Sequence, residues 1–223
     1  MDEDAPITLG IYVGGEAVEA VSSNGHETVI RTANTQDPGA WLELTVYGVD
    51  VEPGGELRAA VTFVRGTTRE QEFTLRREAR RAGFHRVLVV PALDAARRGL
   101  RGGVGRNVPL ILLDTERSQL GVGSQHDWVR PIPGREAREL AVSLRCMLKP
   151  LPPRERRERL ERVVVAAPEP VLERFGRRGI EEELEAIGAE RVEFHEETLA
   201  LARGALISAA RAPEARWRRV SRR

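Results

Sequence analysis

The chain has 223 residues, 41% hydrophobic and 31% charged, with a formal charge of +1. That is ordinary for a globular fold and long enough to bury one sizeable core or two small ones. The near-zero charge sets nucleic acid aside as a partner, the lone Cys146 excludes an intrachain disulfide, and no apolar run reaches a membrane span, which together point to the cytoplasm.

In chain order, Ile7 to Val13 is a β-prone run, broken by Gly14-Gly15 and resumed with alternation from Ala17 to Ser22. Asn24-Gly25 predicts a tight type I′ hairpin into a third strand, Thr28 to Thr32. The apolar stretch Trp41 to Val49 reads as a further strand or a connection. Leu57 to Val64 is a buried strand. Thr68 and Gln71 then form a capping box for a helix that carries Leu75, Ala79 and Ala82 on one face and stops at Gly83. Val87 to Val90 is a strand and Ala92 to Leu100 a short helix. Gly102-Gly103-Val104-Gly105 reads as a hinge or as a plain surface loop.

The second half repeats the pattern. Strands are predicted at Val108 to Asp114, Gln119 to Ser124 and Trp128 to Ile132, then a helix over Gly134 to Leu148, stopped by Lys149-Pro150. A polar helix covers residues 154–160, and a strand runs from Val163 to Ala167. Two short helices separated near Gly179, a strand at Arg191 to Phe194 and a helix over Glu196 to Ala210 complete it. Periodicity alone gives a mixed α/β chain of two similar halves, 1–101 and 106–211, with a basic, frayed tail, 212–223.

Three segments resemble a known family. Ala60-Val61-Thr62-Phe63-Val64, Arg69-Glu70-Gln71 and Arg80-Arg81-Ala82-Gly83-Phe84, followed by Val90-Pro91, are similar to the strand, helix and strand of the first lobe of DnaK-type heat-shock chaperones. Leu201-Ala202-Arg203-Gly204-Ala205-Leu206 is similar to that family's last helix, and Leu9-Gly10-Ile11-Tyr12-Val13-Gly14 falls at its first phosphate loop. The resemblance covers most of the chain in order. It implies an α/β fold of two ribonuclease-H-like halves of the actin/DnaK ATPase type. Both outer lobes are trimmed or absent, because too few residues separate the core elements.

The departures fall on the chemistry. Tyr12 stands where the family has an aspartate, and Gly15 and Glu16 replace its phosphate-binding threonines. Of the second loop only Asp114 survives in Asp114-Thr115-Glu116-Arg117-Ser118-Gln119, where glycines should let backbone N–H groups close on phosphate. Ala166-Ala167-Pro168-Glu169-Pro170 replaces the Gly-Gly adenosine loop, and the family's glutamate is missing at Val90 or Ala92. A cleft without walls neither excludes water nor clamps a base.

The expectation is therefore a degenerate DnaK-like protein that binds or assembles without hydrolysing ATP. Gly14, Gly15 and Asp114 are its vestigial nucleotide-loop positions, and no residue takes a catalytic or metal-ligating role. No cofactor is expected. ATP and Mg²⁺ belong only to an alternative, an active chaperone ATPase using Asp114 and Arg117. A further alternative is a half-core partner subunit of an enzyme complex. A protein partner is expected, as a homo- or hetero-oligomer, with Arg216, Trp217, Arg218 and Arg219 as a contact patch or else a solubilising end. Gly14-Gly15 also fits a tight hairpin, and Asp114 a turn cap. Cys146, beside Met147, is expected as a buried structural thiol.

Overall fold

The computed structural model describes residues 6–14, 17–31, 37–48, 55–63, 68–114, 118–122, 130–132, 136–196 and 199–220. The chain divides into two compact units, Met1–Arg101 with Leu199–Arg223, and Gly102–Thr198. The last helix, placed with the second half by its order in the chain, thus joins the unit of the first.

The first unit opens with β1 (Ile7–Val13), β2 (Ala17–Ser22) and β3 (Glu27–Arg31) as an antiparallel meander. The turn between β2 and β3 differs from the predicted two-residue loop. Gly25 alone takes a positive φ, +93°, and its N–H donates to the Ser22 carbonyl at 3.1 Å. That is a type I turn closed by a left-handed glycine.

Helix α1 (Pro38–Gly48) replaces the strand or connection expected around Trp41 to Val49. It buries Trp41, Leu42 and Thr45, and the Thr45 hydroxyl donates back to the Leu42 carbonyl at 2.8 Å. Burial at positions three and four apart decides the period here, against the β propensity of Thr, Val and Tyr. After α1 come β4 (Leu57–Phe63), α2 (Arg69–Arg81), β5 (Arg86–Pro91) and α3 (Ala92–Gly99). The capping box on α2 is formed as predicted, with both Thr68 and Gln71 bonding the backbone. Gly83 follows at φ +90°.

The chain returns to this unit with α8 (Ala200–Ala210), a 3-10 turn at Glu214–Arg216 and β11 (Arg218–Arg219). The sheet runs β11-β5-β4-β1-β2-β3, with β1, β4 and β5 parallel. One face packs Leu9, Ile11, Val61 and Val87 on Trp41, Leu42, Leu75 and Ala79. The other packs Ala60, Leu88 and Val90 on Ala95, Ala205, Ala209 and Trp217.

Glycine permits the closest approaches on that second face. A Cβ on Gly10 would lie 2.1 Å from the Ala202 carbonyl oxygen, and one on Gly204 only 1.7 Å from that of Ala95. Helix α8 therefore rests with its backbone directly on β1 and α3. At its start Leu199 takes the left-handed region, φ 67°, and its N–H donates to the Glu19 carboxylate at 2.9 Å. The acidic group at the helix N-terminus supplies the cap that a leucine cannot.

On α2, Glu78 is nearly buried and accepts from Arg77 at 2.7 Å and from Arg81 at 3.0 Å. The Arg77 hydrogen bond, followed by Arg81, outweighs burial and holds its carboxyl below the ordinary value of 4.5. A carboxylate with a lowered folded pKa stabilises fully above its unfolded value and loses that contribution as pH falls through the folded one. Glu78→Gln is thus expected to be less stable than wild type at neutral pH. It should also show a flatter loss of stability below about pH 4.5, measured by denaturant melts across pH.

The second unit has β6 (Leu110–Leu112), β7 (Ser118–Gly121), β8 (Arg130–Ile132), α4 (Ala137–Leu148), α5 (Pro153–Leu160) and β9 (Val163–Ala166). Then follow α6 (Glu169–Phe175), α7 (Arg177–Ala186) and β10 (Val192–His195). Its sheet runs β10-β9-β6-β7-β8, the same antiparallel-then-parallel scheme as the first. Ile111, Leu113, Val163 and Val165 pack on Leu140, Leu144, Ile180 and Leu184. The break between α6 and α7 falls at Gly176, φ +76°, and not near Gly179, which lies inside α7. Cys146 is exposed on α4, contrary to the buried thiol expected. No helix among the described residues is long and apolar enough to cross a membrane.

Candidate functional site

The positions that the sequence singles out lie at strand ends. In the first unit β1 ends at Val13 and β2 begins at Ala17. The Gly14 N–H donates to the Ala17 carbonyl at 2.9 Å, so this donor closes the hairpin. The Tyr12 phenol lies over the same residue. A Cβ on Gly14 would be 3.1 Å from the Tyr12 hydroxyl, and the tyrosine is only 5% exposed. Gly15 and Glu16 lie outside the described residues.

A phosphate needs backbone N–H groups turned outward around an open concavity. The described part of this loop does not fit one. Its glycine donor is spent on the turn, and an aromatic ring occupies the space beside it.

In the second unit Asp114 is half-buried just past β6, and the ladder continues beside it through Leu113 N–H to the Ala166 carbonyl at 2.9 Å. Thr115, Glu116 and Arg117 lie outside the described residues. The segment Ala166 to Pro170, expected at the adenosine-loop position, starts a helix. Ala167 N–H donates to the His195 carbonyl at 3.1 Å, and Val171 and Leu172 donate to the Pro168 carbonyl at 2.9 and 3.1 Å. Among the described residues no group of three His, Cys, Asp or Glu side chains comes together that could hold a metal ion.

The tail departs most from expectation. Trp217 is 7% exposed and sits in the core with Ala60, Leu88, Ala205 and Ala209. It is a packing residue, not a contact residue and not part of a frayed end. Arg218 and Arg219 pair antiparallel with Val87 and Arg86 along the edge of β5, with their side chains exposed, and Arg216 is exposed as well.

Sequence reasoning missed the polar clasp that holds this tail. Arg58 lies 5.5 Å over the Trp217 ring and bonds Glu56 at 3.0 Å and Glu214 at 3.4 Å. Arg86 bonds Glu56 at 2.9 Å and also pairs with Glu214. The Arg58 hydrogen bond is the first cause holding the Glu56 carboxyl below its usual range, with Arg86 adding to it. The signal was Arg58 on β4 paired in register with Arg86 on β5, with Glu56 just before β4, visible only once the register is known.

Two surface cavities carry charge. One of about 610 Å³ is lined by Glu56, Arg80, His85, Arg86 and Arg219, beside the clasp. The Leu57 N–H donates to His85 Nδ1 at 3.1 Å, which ties that imidazole to the sheet. The other, about 730 Å³ in the second unit, is lined by Arg154, Arg159 and Arg162 against Glu155, Glu158 and Glu161. Its opposite charges compensate, with Arg154 on Glu158 and Arg159 on Glu155, each at 3.0 Å.

No family model matches the chain. No curated protein matches it. Solved structures do. The chain is similar to the MamK double helical filament, with a TM-score of 0.75 and 12% identity over 94% of this chain and 100% of that one. It is similar to a non-polymerising MamK mutant bound to AMPPNP, with a TM-score of 0.63 and 12% identity over 93% and 99%. It is similar to the ethanolamine utilization protein EutJ from Carboxydothermus hydrogenoformans, with a TM-score of 0.55 and 13% identity over 90% and 89%. At such identities the likeness establishes the fold, a trimmed actin-like ATPase fold of two ribonuclease-H-like sheets.

Proposed function

We propose that the chain is a degenerate relative of the DnaK-type chaperones that does not hydrolyse ATP and acts in the cytoplasm as a chaperone-like binding or assembly module. The observation that carries this reading is the Tyr12 ring packed over Gly14, whose N–H is already bonded within the hairpin. Where the fold would place a carboxylate and an open phosphate loop, the chain has a buried phenol. The rebuilt Ala167-Pro168 segment supports the same reading from the second unit. The assembly part draws support from the MamK filament, whose fold this chain shares.

Isothermal titration with ATP and Mg²⁺ tests the proposal. The expected result is no binding tighter than about 1 mM, a free energy of about 4 kcal/mol, together with no phosphate release. Micromolar affinity, or turnover that Asp114→Ala abolishes, would overturn it.

A further inference from the structure

Resting on the assembly role proposed above, we infer that the β3 edge of the first unit is a self-association surface whose partner is β3 of a second copy of this chain. Among the described residues, strand β3 is the last strand of its sheet, opposite in the order to the tail strand β11. Its backbone phase follows from the turn. Ser22 N–H donates to the His26 carbonyl at 2.8 Å, and β3 pairs Thr28 with Ala20 and Ile30 with Val18. In an antiparallel ladder, residues alternate between bonding inward and outward. Thr28 and Ile30 therefore turn their backbone groups to β2, while Glu27, Val29 and Arg31 turn theirs away from the sheet.

An open edge of this kind is a template for another strand. The sequence along it, Glu27-Thr28-Val29-Ile30-Arg31, selects which strand. Antiparallel pairing about a two-fold axis at Val29 sets Val29 against Val29 of the second copy. The same axis sets each Glu27 against the other copy's Arg31. Opposite charges meet at both ends and an apolar pair meets at the centre. Parallel pairing, or a slip by two residues, loses both ion pairs.

Exposure agrees with this arrangement. Val29 is 46% exposed on one face of the edge. On the other face α1 ends against β3, where a Cβ on Gly48 would lie 2.9 Å from the Thr28 hydroxyl. Tyr47, 86% exposed, and Leu44, 47% exposed, lie in that last stretch of α1. Glu27 already accepts from Arg203 at 2.9 Å within its own chain. A carboxylate has acceptor positions for a second guanidinium, so the cross-copy pair extends this network without breaking it. Closed two-fold pairing of like edges yields a dimer, with one continuous sheet across the axis.

The test is multi-angle light scattering on the full chain at high micromolar concentration, with circular dichroism to confirm folding. The wild type is expected as a dimer. Arg31→Glu and Glu27→Arg each place like charges opposite at both ends, and each is expected to weaken the dimer about a hundredfold. Mixing the two variants in equal amounts restores opposite charges and is expected to restore the dimer.

Val29→Pro removes an outward N–H without touching the ladder to β2, so it serves as a second variant should Glu27→Arg disturb the Arg203 pair. A monomeric wild type, a dimer that survives both Arg31→Glu and Val29→Pro, or a mixture that stays monomeric would each overturn the inference. Tight ATP binding by a chain that still dimerises through β3 would sink the functional proposal and leave this one standing.

Discussion

Gly204→Ala is expected to destabilise the first unit by about 3 kcal/mol, a fall of about 6–12 °C in melting temperature for a chain of this size. Two effects oppose each other. Alanine is the better helix former by about 1 kcal/mol. Against that, the new Cβ would stand 1.7 Å from the Ala95 carbonyl oxygen and 2.5 Å from its carbon. Those are backbone atoms of α3 and cannot swing aside as a flexible side chain can. Helices α3 and α8 must separate, and the Ala205 and Ala209 contacts to the sheet loosen with them. The clash wins.

Gly179→Ala is the control. It is also a helical glycine, but its Cβ would meet nothing nearer than Ala137 at 3.9 Å. Here propensity acts alone, and the melt should rise or stay level. Equal effects at the two positions would show that the close approach of α3 and α8 is not a determinant of stability.

Trp217→Ala carries the second large effect, about 3–5 kcal/mol as for other buried tryptophans. The indole fills the face between Ala60, Leu88, Val90 and α8, and Arg58 stacks over it. Its removal opens a cavity and leaves the guanidinium without its aromatic partner. Arg216→Ala and Arg219→Ala, on exposed neighbours, should stay within about 0.5 kcal/mol of wild type. The readout is a denaturant melt followed by circular dichroism, since the substitution removes a fluorophore. A Trp217→Ala cost as small as that of its neighbours would mean the tail does not hold the core.

Much of the fold was legible because its strands and caps are written locally. Ile7 to Val13, Leu57 to Val64 and the Thr68 capping box are each specified by a few adjacent residues. The division into two similar halves followed from the repeat of those local signals. What escaped the sequence depended on distant partners. Trp41 to Gly48 is helical because it buries one side on the sheet, which no single-chain propensity encodes. Trp217 stood in a run of arginines that looked like a solvated end, and only the gap between β5 and α8 makes it core. The helix break moved from Gly179 to Gly176 because both are glycines and only geometry chooses which takes the left-handed turn.

The candidate site was legible mainly by subtraction. The sequence marked where the chain departs from the phosphate loops of the family it resembles. It could not say that the Tyr12 ring folds back over Gly14, because that requires the hairpin closed by Ala17.

The discontinuous first unit has a consequence for how the protein is made. Residues 1–101 leave the ribosome well before residues 199–223, which complete their unit, while residues 102–198 form an uninterrupted stretch. During translation the nascent β1, β4 and β5 therefore await the last helix, with Ala60, Leu88 and Val90 covered by Ala95 of α3 alone until α8 and Trp217 emerge. The order of synthesis, which usually lets the amino-terminal part fold first, is inverted here. The middle of the polypeptide is contiguous, whereas one face of the first sheet is completed only by the chain's last helix and Trp217.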